Sequence, residues 1–488
     1  MHGLTRILRQ SATATAVCLA TALLAGCAAV GPDYEPPVVE TPDAWTEVIA
    51  TEADPAHTPG LQTWWDIFND PVLSDLISRA RQSNLDLQIA VSRVAEARSK
   101  LGIARSAELP GVNLGGGISE TKQSDDGELA QIAPPNGFDA QELYQAGFDA
   151  SWEIDVFGGV RRRVEAAGAA YEATIEDQRD VLVSLLAEVA LNYISLRSAQ
   201  QRIYFAKSNV SDQERALQLA TDRFNSGLNS KLDVVQAQSN LGLTRSTIPV
   251  LEISQIRALN RLAVLLGAEA GTLQAEFSTS GTIPLPAKDK LIGIGVPADV
   301  LRQRPDVRAA ERQLAAQTAM IGVATSELYP RFQLSGIIGL QSQTIGNLVD
   351  SSSFAWSLGL PFQWNVFDGG RIRSNIVVQE ERAKQAGLQY RQSVLLALEE
   401  VENAVVGVNQ QWDRYRILQD AAASTKEAVR LVTTQYDSGL TDFDNVLNTL
   451  RSLFNQQEQS VVSETQVAIE MISLYKALGG GWDYDSDP

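Results

Sequence analysis

The stretch YDSGLTDFDNVLNTL (Tyr436–Leu450) repeats the pattern of a stretch much earlier in the chain, FNSGLNSKLDVVQAQ (Phe224–Gln238). Gly227 falls on Gly439, an offset of 212, and the same offset carries Leu266-Gly267 onto Leu478-Gly479. Slightly upstream, VFGGVR (Val156–Arg161) matches VFDGGR (Val366–Arg371) at 210. Further back, NLDLQIAVSRVAEARSKLGIARSAELP from Asn84 matches RPDVRAAERQLAAQTAMIGVATSELYP from Arg304 at 220, setting Asp86 on Asp306 and Pro110 on Pro330. Matched blocks in one order, with small gaps between them, mark a tandem duplication, and a repeat of this length governs the fold ahead of any local motif.

Each half reads helix, two strands, very long helix, turn, helix. From Val160 to Phe224 no proline occurs, and apolar residues such as Leu182, Leu186, Val189, Tyr193 and Leu196 recur at helical spacing. A helix of that length would extend roughly 100 Å. It needs partners along its whole length, as in coiled coils. Gly370–Tyr436 is alike, and charges such as Glu188, Arg197, Glu399 and Glu402 argue against transmembrane helices.

Between the helices the period changes to two. LYQAGFDASWEIDVF sets Tyr144, Ala146, Phe148, Ala150, Trp152 and Ile154 on one face, against Gln145, Asp149, Ser151 and Glu153 on the other. SFAWSLGLPFQW sets Phe354, Trp356, Leu358, Leu360, Phe362 and Trp364 on one face. RFQLSGIIGLQSQ and the weaker GVNLGGGISE alternate likewise. About ten alternating residues is the span of a transmembrane strand. Four strands cannot close, and an open edge in lipid leaves backbone groups unsatisfied. The chain must therefore pool strands with copies of itself; two copies would give a barrel filled by side chains, and three the smallest open pore.

The ends and the bulk agree with a membrane-linked protein. The N-terminus carries Arg6 and Arg9, a short apolar run and Leu24-Ala25-Gly26-Cys27. That run fits a secretory signal and is too short to span a bilayer. The small residues before Cys27 resemble the lipobox of bacterial lipoproteins, which implies a lipid on Cys27, and Ala28 after it points to the outer membrane. The 488 residues, 44% of them hydrophobic, suffice for two to four domains and a buried core, and a formal net charge of −19 argues against nucleic acid. With two histidines, His2 and His57, and two cysteines, Cys18 and Cys27, metal sites and histidine-based catalysis lack raw material, and no enzyme is expected.

The expected layout is a signal peptide at 1–26 and a lipid-anchored, Pro-rich segment at 27–65. A first repeat follows at 66–267, with strands near 111–120 and 143–157 and a tip turn at 224–231. After a linker at 268–297 comes a second repeat at 298–479, with strands near 331–343 and 353–366 and a tip turn at 436–442. A tail occupies 480–488.

Signal, lipobox, Pro-rich lead and duplicated halves, together with RQRPDVRAAERQL (Arg302–Leu314), ELYPRFQLSG (Glu327–Gly336), WNVFDGGR and YDSGLTDFDNVLNTL, resemble the TolC-like outer membrane factors, in the lipoprotein branch labelled NodT or OprM type. The resemblance covers essentially the whole mature chain. It implies a homotrimer with a twelve-stranded outer-membrane barrel continued by an α-helical periplasmic tunnel. Such a duct serves a periplasmic adaptor and an inner-membrane pump in tripartite efflux or type I secretion, with an RND-type pump expected here, and without a cofactor beyond the lipid on Cys27. The competing reading from the long helices alone is a periplasmic coiled-coil or adaptor-like structural lipoprotein, which would not need two aromatic strand pairs.

Gly227 and Gly439 suit the left-handed conformation that ends a helix, and Ser230, Thr441 and Asp442 suit caps for the helix that follows. In the family such tips line the periplasmic gate. The resemblance places Tyr436 at its tyrosine and Asp233 at the first-half aspartate. It places Asn445 and Asn448 where relatives carry aspartates, and Thr441 where some carry arginine, with Asp442 and Asp444 on the same turn. Closure is therefore expected to lean on amide hydrogen bonds, and Leu228 and Leu440, beside Gly227 and Gly439, are expected to touch the adaptor.

Overall fold

The computed structural model describes residues 29–38, 42–46, 60–127, 130–132, 134, 136, 138–286 and 297–483. Cys27, the signal peptide, His57, much of the linker and most of the tail lie outside them. A 3-10 segment at Leu61–Phe68 leads into α1 (Pro71–Ser83), α2 (Leu85–Ser106), β1 (Gly111–Thr121), β2 (Gln141–Ile154), α3 (Gly159–Asn225) and α4 (Lys231–Leu265). The second half runs α5 (Pro297–Gln303), α6 (Pro305–Ser326), β3 (Arg331–Ser342), β4 (Phe354–Gly359), β5 (Phe362–Gln363), α7 (Arg371–Asp437) and α8 (Phe443–Ala477). Helices α3 and α7 each have 67 residues, and α4 and α8 each have 35.

The chain forms two compact units: residues 1–37, 95–173 and 310–389, and residues 38–94, 174–309 and 390–488. The first unit holds the sheet, antiparallel in the order β1-β2-β3-β4, with β5 paired to β3 beside β4. Its register gathers apolar residues into one cross-strand row. The row Leu114, Phe148, Ile338 and Trp356 is apolar and exposed, whereas the next row, Asn113, Asp149, Ile337 and Ser357, carries a cross-strand bond from Asn113 Nδ2 to the Asp149 carboxylate at 3.0 Å. One face is thus apolar while facing solvent, and among the described residues no strand lies beside the outer edges of β1 and β4.

Two strand boundaries differ from expectation. The strand expected over 353–366 is interrupted after Gly359, because Pro361 has no N–H to donate to the ladder. Pairing resumes in the same register, with Phe362 opposite Phe332. The strand expected over 143–157 runs instead from Gln141 to Ile154. There Asp155 turns the chain into α3 by accepting from the backbone N–H groups of Val160 and Arg161 at 3.1 and 2.9 Å.

The second unit holds the main core, built on Trp64, Leu76, Leu186, Tyr193, Leu262, Met471 and Tyr475. The repeat closes the same way twice. Asn84 donates to the Leu265 carbonyl at 2.9 Å, and Arg304, its counterpart at offset 220, donates to the Ala477 carbonyl at 2.8 Å. Helix α3 contains a window apolar enough to cross a bilayer, but more than half of it is buried inside the protein, as befits a core helix.

Candidate functional site

The two hairpin tips are stopped by one device. Gly227 and Gly439 sit at φ 70° and 73°. Leu228 N–H reaches back to the Arg223 carbonyl and Leu440 N–H to the Gln435 carbonyl, both at 2.8 Å, while each glycine N–H bonds three residues back. This is the Schellman pattern, which satisfies carbonyls that the helix end leaves free. It returns at Gly267 and Gly479, so all four long helices end alike. The expected side-chain caps do not form. Ser230 and Asp442 occupy the cap positions without a capping side-chain bond to the backbone N–H groups of the helix that follows. The Ser230 hydroxyl donates instead to the Asp233 carboxylate at 3.3 Å, and the Thr441 hydroxyl accepts from the Asn445 amide at 2.9 Å.

Tyr436 is 3% exposed and lies in a small apolar cluster with Ala216, Ala220, Ala237, Phe443, Val446 and Leu447. Its ring stands 5.2 Å from that of Phe443. The Arg223 guanidinium, from the first hairpin, covers the ring at 4.6 Å and donates to the Tyr436 carbonyl at 2.8 Å. Asn229, also from the first hairpin, donates its amide to the Tyr436 hydroxyl and to the Ala220 carbonyl, both at 3.2 Å. Burial pushes the phenol pKa up, against the opposing pull of Asn229 and Arg223, so the ring stays neutral. Arg223 Nε and the Asn229 carbonyl oxygen are buried with no partner among the described residues. Burying such groups unpaired costs free energy, so this contact is under-satisfied.

The other residues expected at the gate spend their bonds locally. Asn448 donates to the Asp444 carboxylate at 2.9 Å within α8, as Asn445 does to Thr441. The amide and the cation that reach Tyr436 from the first hairpin are Asn229 and Arg223; neither was singled out by the sequence. The repeat aligns Phe224, not Arg223, with Tyr436, and contacts that cross 213 and 207 residues leave no mark in local spacing. Leu228 and Leu440 are 67% and 78% exposed, so most of their apolar surface is left uncovered beside the two turns.

At the sheet, Trp152 and Trp364 occupy equivalent places. Each indole N–H donates at 3.0 Å to a carbonyl just beyond a helix end, Glu108 and Leu328 respectively. Trp364 is exposed and Trp152 half-buried, and an indole at a sheet end with its N–H committed suits the membrane–water boundary.

The family model described as outer membrane efflux protein matches residues 76–268 and 296–480. Nodulation protein T of Rhizobium leguminosarum bv. trifolii is 30% identical over 466 residues, which cover 94% of this chain and 96% of that protein. Outer membrane protein OprJ of Pseudomonas aeruginosa is 30% identical over 469 residues, covering 95% of each. Among solved structures, the outer-membrane channel OprN superposes with a TM-score of 0.87 at 32% identity, covering 93% of this chain and 99% of that one.

Proposed function

The chain belongs to the outer membrane efflux protein family, and from that premise we propose that three copies form an exit duct whose periplasmic mouth is held shut by Arg223, Tyr436 and Asn229 of each copy. It is the outer-membrane component of a tripartite efflux system, a passive channel working with a periplasmic adaptor and an inner-membrane pump. The observation that carries the assembly is the sheet: four strands, two free edges and one apolar face. Free edges are not tolerated in lipid, and three copies supply twelve strands for a closed barrel with an open lumen. Exposed Leu232, Val235, Leu243 and Val250 on α4, and Val377, Leu388, Leu395 and Leu396 on α7, give the neighbouring copies apolar stripes to cover.

The pump is of the RND type, and substrate choice lies with it. A lipid on Cys27 anchors the mature chain. Within the mouth, Asp233, Asp442 and Asp444 supply carboxylates, while Asn445, Asn448 and Thr441 stay neutral. Leu228 and Leu440, uncovered beside Gly227 and Gly439, offer apolar knobs to the adaptor.

Reconstitution into planar bilayers, beside electrophoresis with and without heating, tests the duct. A heat-sensitive trimer with discrete conductance is expected; a monomer without conductance would restore the reading as a coiled-coil structural lipoprotein. Cross-linking in cells from Leu440 captures the adaptor if the tip docks there, and capture from mid-helix positions but not from Leu440 or Leu228 removes the docking assignment.

A further inference from the structure

Residues Ala29–Asp33 run through a slot built by Phe157, Gly158 and Arg162 of the first repeat and Gly322 of the second. Val30 N–H donates to the Phe157 carbonyl at 3.0 Å. The Arg162 side chain, 5% exposed, donates to the Val30 carbonyl at 3.2 Å, the Gly31 carbonyl at 3.3 Å and the Asp33 carboxylate at 2.6 Å, with Glu165 as a further partner at 2.8 Å. Three glycines clear the path. A Cβ on Gly31 would collide with the Gly322 backbone, one on Gly158 with Ala29, and one on Gly322 would come within 2.8 Å of the Val30 carbonyl. Beyond them, Tyr34 donates to Glu311 at 3.0 Å under the Arg312 guanidinium. The second repeat carries no arginine in that place: at the offset of 210 that aligns VFGGVR with VFDGGR, Ile372 stands in the place of Arg162 and Asp368 in the place of Gly158. A guanidinium this deeply buried is costly unless its acceptors stay in place, so Arg162 holds the strap as firmly as the strap holds it.

We propose that Arg162 and the glycine slot are a docking station for the anchor segment, fixing the lipid at the rim of the sheet so that it sets the height of the barrel in the membrane. This rests on the reading of Cys27 as lipidated. Cys27 lies two residues before Ala29, and two residues of chain reach at most ~7 Å. Ala29 lies against Gly158, just past the end of β2, the strand that carries the boundary tryptophan Trp152. Arg162 is a positioning residue here, and its ligand is a strap of this same chain that delivers acyl chains to a lipid surface.

The experiment uses the full-length protein in cells fed a photo-reactive palmitate analogue. After illumination, cross-links within the chain are mapped, and protease cleavage of the strap is timed. In the parent protein they should concentrate at the corner between β2 and α3. Arg162→Ala, and Gly31→Val, which leaves Arg162 in place, should scatter them and speed strap cleavage roughly tenfold, while Arg162→Lys should restore part of the protection. Cross-link maps and cleavage unchanged in both Arg162→Ala and Gly31→Val overturn the proposal. No incorporation of the analogue overturns the lipid reading and the depth role with it, and strap cleavage then decides the Arg162 contact alone.

Discussion

The two tips share a backbone and differ in what they bury. Gly227 and Gly439 adopt the same left-handed conformation and close the same bonds. Yet Phe224 is 40% exposed while Tyr436, its counterpart at offset 212, is sealed, and Val235 is exposed while its counterpart Leu447 is buried. Backbone geometry at a helix end depends on the glycine and on carbonyls within one turn, so duplication preserves it. Side-chain burial depends on what lies across the hairpin, so the copies are free to diverge. Here the second tip is the inner member of the pair, with its tyrosine between hairpins, and the first keeps an exposed apolar stripe.

The sharpest way to break this comparison is to truncate the two aromatics. Tyr436→Ala empties a buried site and should cost about 3 kcal/mol or more in stability, with larger conductance and easier entry of bulky antibiotics. Phe224→Ala at the exposed position should cost under about 1 kcal/mol. Thermal unfolding and single-channel recording of the two variants check this, and equal effects would mean that the burial difference has no consequence for closure.

Next in size is Arg223→Ala, which removes a cation over a ring and a bond to the Tyr436 carbonyl. The loss should be about 1–2 kcal/mol, shifting the closed–open balance by about 5–30-fold. Gln435→Ala, at the matching place in the second hairpin, should leave conductance unchanged. Smaller again are Gly227→Ala and Gly439→Ala. Neither added Cβ meets another atom, so each should cost only the left-handed strain of about 1 kcal/mol. Two equal drops in melting midpoint would sharpen the claim that the turns are one device used twice.

The duplication, the long helices, the alternating faces and the two glycines were legible because each depends on spacing within one element or on a fixed offset. The break in the last strand was missed although Pro361 was its signal, because the alternation of Phe354, Trp356, Leu358, Leu360 and Phe362 runs on across a residue that has no N–H for the ladder. The missing caps at Ser230 and Asp442 were not legible, because both side chains had the right chemistry and only the geometry withheld the bond. The Arg223–Tyr436–Asn229 contact was not legible either. It depends on the rotational phase of two helices more than two hundred residues apart, which no local pattern records.

The smallest effect is electrostatic, and it sits where the repeats differ again. Asp180 on α3 faces Arg304, Asp306, Glu400 and Lys476 around a cavity of about 220 Å³, whereas its counterpart on α7 is Gln392. Burial, and then the Asp306 carboxylate, push the Asp180 pKa up, only partly offset by Arg304 and Lys476. A carboxyl whose pKa is raised by folding binds its proton more tightly in the folded chain, so this group favours folding below the ordinary aspartate pKa of about 3.9 and loses that advantage as pH rises through the folded value. Asp180→Gln, which makes the first half resemble the second, should therefore raise the melting midpoint slightly at neutral pH. The gain should vanish toward pH 4. A lower midpoint at pH 7 would show instead that Arg304 and Lys476 draw net stability from the Asp180 charge, and that the first repeat has a use for a carboxylate where the second has an amide.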